Sequence, residues 1–449
     1  MLPGGFLGGW TFRESTMNLV ETTRQKNQLE RAGGSLPLPL AVFAQRLATG
    51  VFQPAEHTKS RCAENGPHPS GRGKRMVYAG RLIPNKGIAQ LLRCLNLWPL
   101  DGAELTLVGG YEPDFVISQA GVSCPHFQQW FSREVLARNV AVSLRLLAPM
   151  PQPSLAEVFR NSDAFVYPSF HEDEASGNAA HEAVLSGLPA VVTDWCGLGQ
   201  LGRNQRGGAI PTYATLGGVR YSLLDLHKQL ASVLKAEPSA PSDARDRDID
   251  WVRSTYDPEW MRHSVRAATE ALIARPPAPP WGGGGWRCPE RLRHITRCGP
   301  EPFRAALSCG SDTTPEGLYV DGTGHEQTSY SEARFLAAIQ GLYTTWPTPP
   351  RLHPGARLHG FWRVALWDHE RALVEFGFPG PRMLRFPETE WRLIRGSARE
   401  WDRSEIAFDV RNSREADVLQ KAVDFGILVP DDPQRCDLPK PNDTLPGTC

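Results

Sequence analysis

Short stretches rich in apolar residues recur along the first two thirds of the chain. Ala164–Tyr167 and Ala190–Thr193 are apolar runs of the kind that forms parallel strands buried on both faces. Met76–Ala79, Glu104–Val108 and Val142–Leu147 read as further strands. Between them the period changes. Ile88 to Trp98 places Leu91, Leu92 and Leu95 on one helical face, and Pro153–Asn161 predicts a second, shorter helix. Asn178–Ser186 predicts a helix of about two turns, with Gly187 as its stop and Pro189 blocking continuation. Five strands with helical crossovers predict an α/β fold with a doubly wound parallel sheet, to which Gly208–Pro211 adds a sixth strand. Leu223–Leu234 and Trp251–Ile273 predict closing helices.

This order puts Glu174, Ser176 and Gly177 where a strand ends and a helix begins. Open α/β sheets bind ligands there, and free helix N–H groups favour phosphate. Seven residues separate Glu174 from Glu182, with Pro168-Ser169 upstream and Gly187-Leu188-Pro189 downstream. This E-x7-E element resembles the donor-site signature of retaining glycosyltransferases of family 4, also called glycosyl transferases group 1. Gly80-Arg81-Leu82-Ile83-Pro84-Asn85-Lys86-Gly87, after the Met76 strand, resembles the same family's GRL-x3-KG loop. A loop of this kind answers a physical need: a leaving diphosphate gains charge as its glycosidic bond breaks, and Arg and Lys neutralise it.

The resemblance covers roughly residues 35–275 and implies a Rossmann-like, GT-B donor domain over residues 74–275. It implies sugar transfer from a nucleotide-sugar with retention of configuration and no bound metal or other cofactor. Carried over, Gly80, Arg81 and Lys86 face the diphosphate, Glu182 takes the ribose hydroxyls, and the amides of Gly177 and Asn178 hold sugar and phosphate. Glu174 is the candidate catalytic residue. Residues 1–54 read as a remnant or short form of the amino-terminal domain, ending at a Phe52-Gln53-Pro54 hinge. No acceptor-binding glycine loop is recognisable there. The competing expectation is therefore a non-catalytic scaffold that binds nucleotide-sugar or recruits a peptide, or a chain whose partner supplies the acceptor domain. The acceptor class (glycan, lipid, small molecule or peptide) is not legible.

Two motifs read as decoys. Gly197-Leu198-Gly199-Gln200-Leu201-Gly202 is a literal G-x-G-x-x-G, but Arg203 to Gly208 and Pro211 leave no space for a following helix. It is expected to be a glycine-rich loop. Asp246-Arg247-Asp248 sits in a polar run, Ser242–Asp250, expected to be a solvated loop and helix entry rather than a cation site. Composition narrows the field further. Lys plus Arg and Asp plus Glu both number 49, so no general attraction to nucleic acid is expected. The nine cysteines form no C-x-x-C pair, so reduced thiols and a cytoplasmic location are expected. Cys94 and Cys196 read as packing residues.

Pro276-Pro277-Ala278-Pro279-Pro280-Trp281 and Gly282–Gly285 predict a linker over residues 276–286. Beyond it, residues 287–449 predict a separate α+β module. Phe361–Trp367 and Ala372–Phe376 suit a hairpin around Asp368–Arg371, and Ser331–Tyr343 is helix-like. Glu388–Arg395, Arg403–Asp409 and Ser413–Phe425 predict three short helices before an apolar strand at Gly426–Pro430. That order over residues 385–430 resembles a winged-helix unit. A structural module, a peptide or partner site and a DNA-binding role remain open. Glu388, Glu390, Asp417 and Asp424 argue against DNA, which requires a basic face.

Overall fold

A computed structural model describes residues 18–20, 40–42, 47–54, 74–111, 128–139, 142–171, 174, 176–215, 218–235, 242–274, 319–321, 349–377, 381–401 and 405–431. The 276–286 linker and the Ser331–Tyr343 helix lie outside the described residues. Two compact units emerge. The first holds residues 1–118, 122–211 and 226–297; the second holds 119–121, 212–225 and 298–449.

The first unit carries a short parallel pair, β1 (Asn18–Val20) and β2 (Leu40–Val42), and a six-stranded sheet. The sheet contains β3 (Arg75–Ala79), β4 (Glu104–Val108), β5 (Ser143–Leu147), β6 (Ala164–Tyr167), β7 (Ala190–Thr193) and β8 (Gly208–Ile210). Every pair is parallel, in the order β5-β4-β3-β6-β7-β8. The chain builds outward from β3 to β5, then returns to β3's other edge with β6. That reversal creates a switch point between β3 and β6, the crevice where such sheets bind ligands. The strands beside it are dry: Met76, Val77, Tyr78, Ala164, Phe165 and Val166 are fully buried.

The helices follow the apolar periodicity. They are α1 (Ile88–Leu97), α2 (Gln152–Arg160), α3 (Asn178–Leu185), α4 (Cys196–Arg203), α5 (Leu223–Lys235), α6 (Ser242–Thr255) and α7 (Pro258–Ile273). Leu91, Leu92 and Leu95 of α1 are buried with Cys94, whose thiol is pushed up by burial and acts as packing. No helix among the described residues is long and apolar enough to cross a membrane.

Three expectations for this unit need correction. The 197–202 glycines are not a loop; they lie inside α4. A Cβ on Gly202 would lie 2.9 Å from both the Ala209 Cβ and the Val192 Cγ2, so glycine lets this helix seat against β7 and β8. The polar run Ser242–Asp250 is not a solvated loop but most of α6, and its Asp248 is buried in an ion pair with Arg206 at 2.6 Å. The closing helix begun at Trp251 is two helices, because Pro258 cannot continue α6 and instead opens α7.

The second unit has two four-stranded sheets. One has the order β11 (Tyr319–Asp321), β15 (Pro381–Arg385), β14 (Ala372–Phe376) and β13 (Arg363–Trp367). The other has β16 (Ala398–Trp401), β17 (Glu405–Asp409), β12 (Arg357–Gly360) and β18 (Leu428–Pro430). Helices α8 (Glu388–Ser397) and α9 (Ser413–Asp424) share a core with them that includes Leu358, Phe408, Trp391, Ile394 and Leu419. The expected hairpin forms, with Arg363–Trp367 pairing antiparallel to Ala372–Phe376. The helix expected at 403–409 does not: Glu405–Asp409 is a strand between β16 and β12, which removes the middle helix of the winged-helix order. Glu405-Ile406-Ala407-Phe408-Asp409 has a three-residue apolar centre that suits a strand as well as a helical turn, and a short segment takes whichever period its neighbours complete.

This unit also takes in a hairpin from the middle of the chain, β9 (Thr212–Thr215) and β10 (Gly218–Tyr221). Arg220 Nε donates to the Gly426 carbonyl at 2.7 Å, and its guanidinium lies 4.6 Å from the Phe361 ring centre. Tyr221 meets Phe361 edge-on at 5.1 Å, and Ser222 Oγ donates to the Asp431 carbonyl at 2.8 Å. Strand-to-helix connections in α/β units usually take about 2–6 residues. This one is lengthened into a piece of the second unit.

Candidate functional site

Two loops leave the sheet on either side of the switch point, residues 80–87 after β3 and 168–177 after β6. They are fastened to each other. Phe170 N–H donates to the Asn85 carbonyl at 2.9 Å. Gly87 adopts a left-handed φ of 77°, and a Cβ there would lie 2.1 Å from the Pro168 carbonyl oxygen. Only glycine permits that approach. Gly80 follows β3, where the Tyr78 hydroxyl donates to the Arg81 carbonyl at 2.8 Å and fixes the loop's first turn.

The side chains complete the junction. Lys86 Nζ lies 2.5 Å from Glu174 Oε2, with both side chains more than nine-tenths buried. Ser169 Oγ donates to the same carboxylate oxygen at 2.7 Å, and Thr193 Oγ1 supports Ser169 by donating to its carbonyl. Burial pushes the Glu174 carboxyl upward, but the Lys86 ammonium and the bonds from Lys86 and Ser169 outweigh it. The net result holds Glu174 below its ordinary value, so it is ionised at neutral pH. Tyr78 and Tyr167 stack beside it with ring centres 5.4 Å apart, and the Lys86 ammonium lies 5.5 Å from the Tyr167 ring centre. Burial raises both phenols, so they are neutral donors. His171 is lowered to about 4, by burial and then by Lys86.

The α3 end of the loop is built on Gly177. Its φ is 70°, and a Cβ would fall 2.2 Å from Leu198 Cδ2. Ser176 Oγ donates to Asn178 Oδ1 at 2.7 Å. Glu182, in the second turn, is partly buried and has no side-chain hydrogen bond among the described residues. Burial alone raises it to about 7. A third loop joins in: Trp195 Nε1 donates to the His171 carbonyl at 3.1 Å, and Gly197 N–H reaches the Glu174 carbonyl at 3.4 Å.

The structure thus joins Lys86 to Glu174 directly and places Gly80, Gly177, Asn178 and Glu182 on the two loops and helix around them. Arg81 is exposed at the tip, free of the buried pair. Sequence reading assigned no role to Ser169, Tyr78, Tyr167 or Thr193. The signal for Ser169 was its place at the carboxyl end of β6, five residues before Glu174. The tyrosines looked like ordinary strand residues. Among the described residues, no group of three or more His, Cys, Asp or Glu side chains is arranged to hold a metal ion.

Residues 65–213 match the family model described as Glycosyl transferases group 1. A D-inositol 3-phosphate glycosyltransferase of Jonesia denitrificans is 27% identical over 188 residues, covering 41% of this chain and 42% of that protein. One from Rhodococcus jostii is 28% identical over 207 residues, covering 44% of this chain and 41% of its own. Sucrose-phosphate synthase from Thermosynechococcus elongatus superposes with a TM-score of 0.43 at 20% identity, covering 57% of this chain and 58% of that one. The chain spans less than half the length of the curated relatives it matches.

Proposed function

We propose, from the premise that residues 65–213 form a glycosyl transferases group 1 domain, that this protein transfers a sugar from a nucleotide-sugar to an acceptor with retention of configuration. The observation carrying this reading is the Lys86–Glu174 pair, which ties the cationic loop to the E-x7-E loop at the sheet's switch point. In this reading residues 74–275 are the donor domain. The diphosphate lies against Arg81 and the start of α3, while Lys86 is shared between phosphate and Glu174. As the bond between the anomeric carbon and the diphosphate breaks, negative charge grows on the leaving oxygens, where these donors stabilise it most. Glu174, kept ionised and rigid by Lys86 and Ser169, accepts hydrogen bonds from sugar hydroxyls. Glu182 accepts from the ribose hydroxyls once deprotonated.

The test is calorimetry of the full chain with UDP-, GDP- and ADP-sugars, followed by assays of donor hydrolysis and transfer. Binding with turnover supports the transferase. Binding without turnover against a broad acceptor panel, alone and with candidate partner proteins, supports the scaffold reading. Failure to bind any of these donors overturns both.

A further inference from the structure

The residue before Glu182 faces away from the donor cleft and into the protein. His181 is 2% exposed and packs against Trp251 of α6 and Tyr256 just beyond that helix. Its ring stacks on Trp251 at 6.4 Å and meets Tyr256 edge-on at 4.7 Å. His181 Nδ1 lies 3.3 Å from the Gly177 carbonyl oxygen, one helical turn back. The Tyr256 hydroxyl, itself 4% exposed, lies 3.2 Å from Nδ1 and 3.3 Å from Nε2.

Hydrogen-bond chemistry selects one arrangement. A carbonyl oxygen only accepts, so the Gly177 contact requires the proton on Nδ1, and the Tyr256 hydroxyl, nearly equidistant from the two nitrogens, then has only the bare Nε2 to donate to. The opposite tautomer would set the Nδ1 lone pair against the carbonyl. Burial lowers the ring to about 4, so it is neutral at pH 7. Gly177 O also accepts from Ala180 N–H at 2.8 Å and His181 N–H at 3.4 Å, so three donors hold it. The Gly177–Asn178 peptide is planar and trans, which points the Asn178 N–H opposite to that carbonyl. Fixing the carbonyl inward therefore aims the Asn178 N–H outward, along the start of α3.

We propose that His181 and Tyr256 are positioning residues that hold the Gly177–Asn178 peptide so that the Asn178 N–H meets the donor diphosphate. The inference rests on the nucleotide-sugar reading above. It assigns work to a histidine that the donor motif does not mark and to a tyrosine seventy-five positions away.

The test uses the full chain and calorimetry with UDP, GDP and ADP. His181→Phe keeps a ring against Trp251 but loses both nitrogens. It should weaken the bound nucleoside diphosphate about fivefold or more, the loss expected for one well-aimed hydrogen bond. His181→Asn, whose amide nitrogen replaces Nδ1, should recover most of that loss. Affinity for the matching nucleoside without phosphates, read by competition, should stay unchanged in both, which a general loosening of the fold would not allow. Tyr256→Phe, a milder change, should give an intermediate loss. In the wild-type chain, 15N spectra of labelled histidine should show His181 protonated at Nδ1, a readout independent of any variant's folding. An Nε2-protonated ring, unchanged diphosphate affinity in His181→Phe, or equal losses for nucleoside and diphosphate overturns the proposal. If the wild-type chain binds none of the three diphosphates, the nucleotide-sugar reading falls first and this inference with it. If it binds and Arg81→Ala weakens it while His181→Phe does not, only the inference falls.

Discussion

Lys86 and Glu174, eighty-eight positions apart in the chain, share a buried ion pair with Nζ and Oε2 separated by 2.5 Å. Each lies in a different loop of the sheet's switch point, so the pair is both a piece of the site and a fastener between its halves. A charge buried to this extent depends on its partner, and removing one partner is far costlier than removing both.

Lys86→Ala is therefore expected to destabilise the first unit by about 3–5 kcal/mol, because it leaves the Glu174 carboxylate buried without its cation. The double change Lys86→Met with Glu174→Gln should regain much of that stability while remaining unable to bind donor. Urea unfolding of the three chains checks this. Equal stability of Lys86→Ala and wild type would mean the pair is not formed in solution.

Arg81→Ala should separate binding from folding. The side chain is exposed, so the melting temperature should hardly move. Loss of a charged hydrogen bond to phosphate, about 1.5–3 kcal/mol, should weaken nucleotide-sugar binding tenfold or more. Calorimetry giving the wild-type affinity would place the diphosphate elsewhere.

Glu182 gives a pH-dependent result of definite sign. Burial raises its carboxyl to about 7. Between the ordinary carboxylate value and 7 the folded chain keeps a proton that the unfolded chain has released, so its contribution to stability falls as pH rises through that window. Unliganded Glu182→Gln should melt above wild type at pH 8 and close to it at pH 5. Wild-type donor affinity should rise with pH through 7, and this rise should vanish in Glu182→Gln. A variant that collapses at pH 8 without ligand would instead mark Glu182 as structural.

His171 and His181 act in the opposite direction. Both are lowered to about 4 by burial, first of all. Below the unfolded value of about 6.5 the unfolded chain binds protons that the folded chain refuses. Their contribution is complete above that value and is lost as pH falls toward 4. In the Glu182→Gln background, unfolding free energy should drop between pH 6.5 and 4, and His181→Phe should flatten part of that slope. A slope unchanged by His181→Phe would show that this ring is not held neutral.

The hairpin carried into the second unit predicts a stability phenotype far from its sequence neighbours. Tyr221 is fully buried against Phe361, so Tyr221→Ala should cost about 3–5 kcal/mol, as for other large buried aromatics. Gly426→Ala should also destabilise: its φ is 70°, and a Cβ would lie 2.3 Å from Thr215 Oγ1. Hydrogen exchange at the β18 amides should accelerate in both. Unaltered protection would show that the second unit folds without Thr212–Asp225.

The sequence by itself marked the parallel strands, because short apolar-rich stretches separated by segments of helical period leave few other ways to be buried. It also pointed to the two loops, because glycine, proline and charge at fixed offsets resemble a known donor motif. Gly80, Arg81, Lys86, Glu174, Gly177, Asn178 and Glu182 were named from that resemblance, and their roles toward a ligand are proposed above. Tertiary structure alone decided that Lys86 pairs with Glu174, that Ser169 and two tyrosines surround the pair, and that His181 meets Tyr256. Apart from Ser169, five residues before Glu174, and Tyr167 just upstream of it, those contacts join residues far apart in the sequence. It also decided two segments whose patterns were weak. Glu405–Asp409 became a strand because β12 and β16 offered it hydrogen bonds on both sides, and Gly197–Gly202 became part of a helix whose Leu198 and Leu201 are buried and whose Gly202 seats closely on Val192 and Ala209. Thr212–Tyr221 went to the second unit for a similar reason: burial of Tyr221 and capture of Arg220 by the Gly426 carbonyl are available only there. Local propensity chooses among elements, but a short segment is finally placed by whichever neighbours satisfy its backbone and cover its apolar side chains.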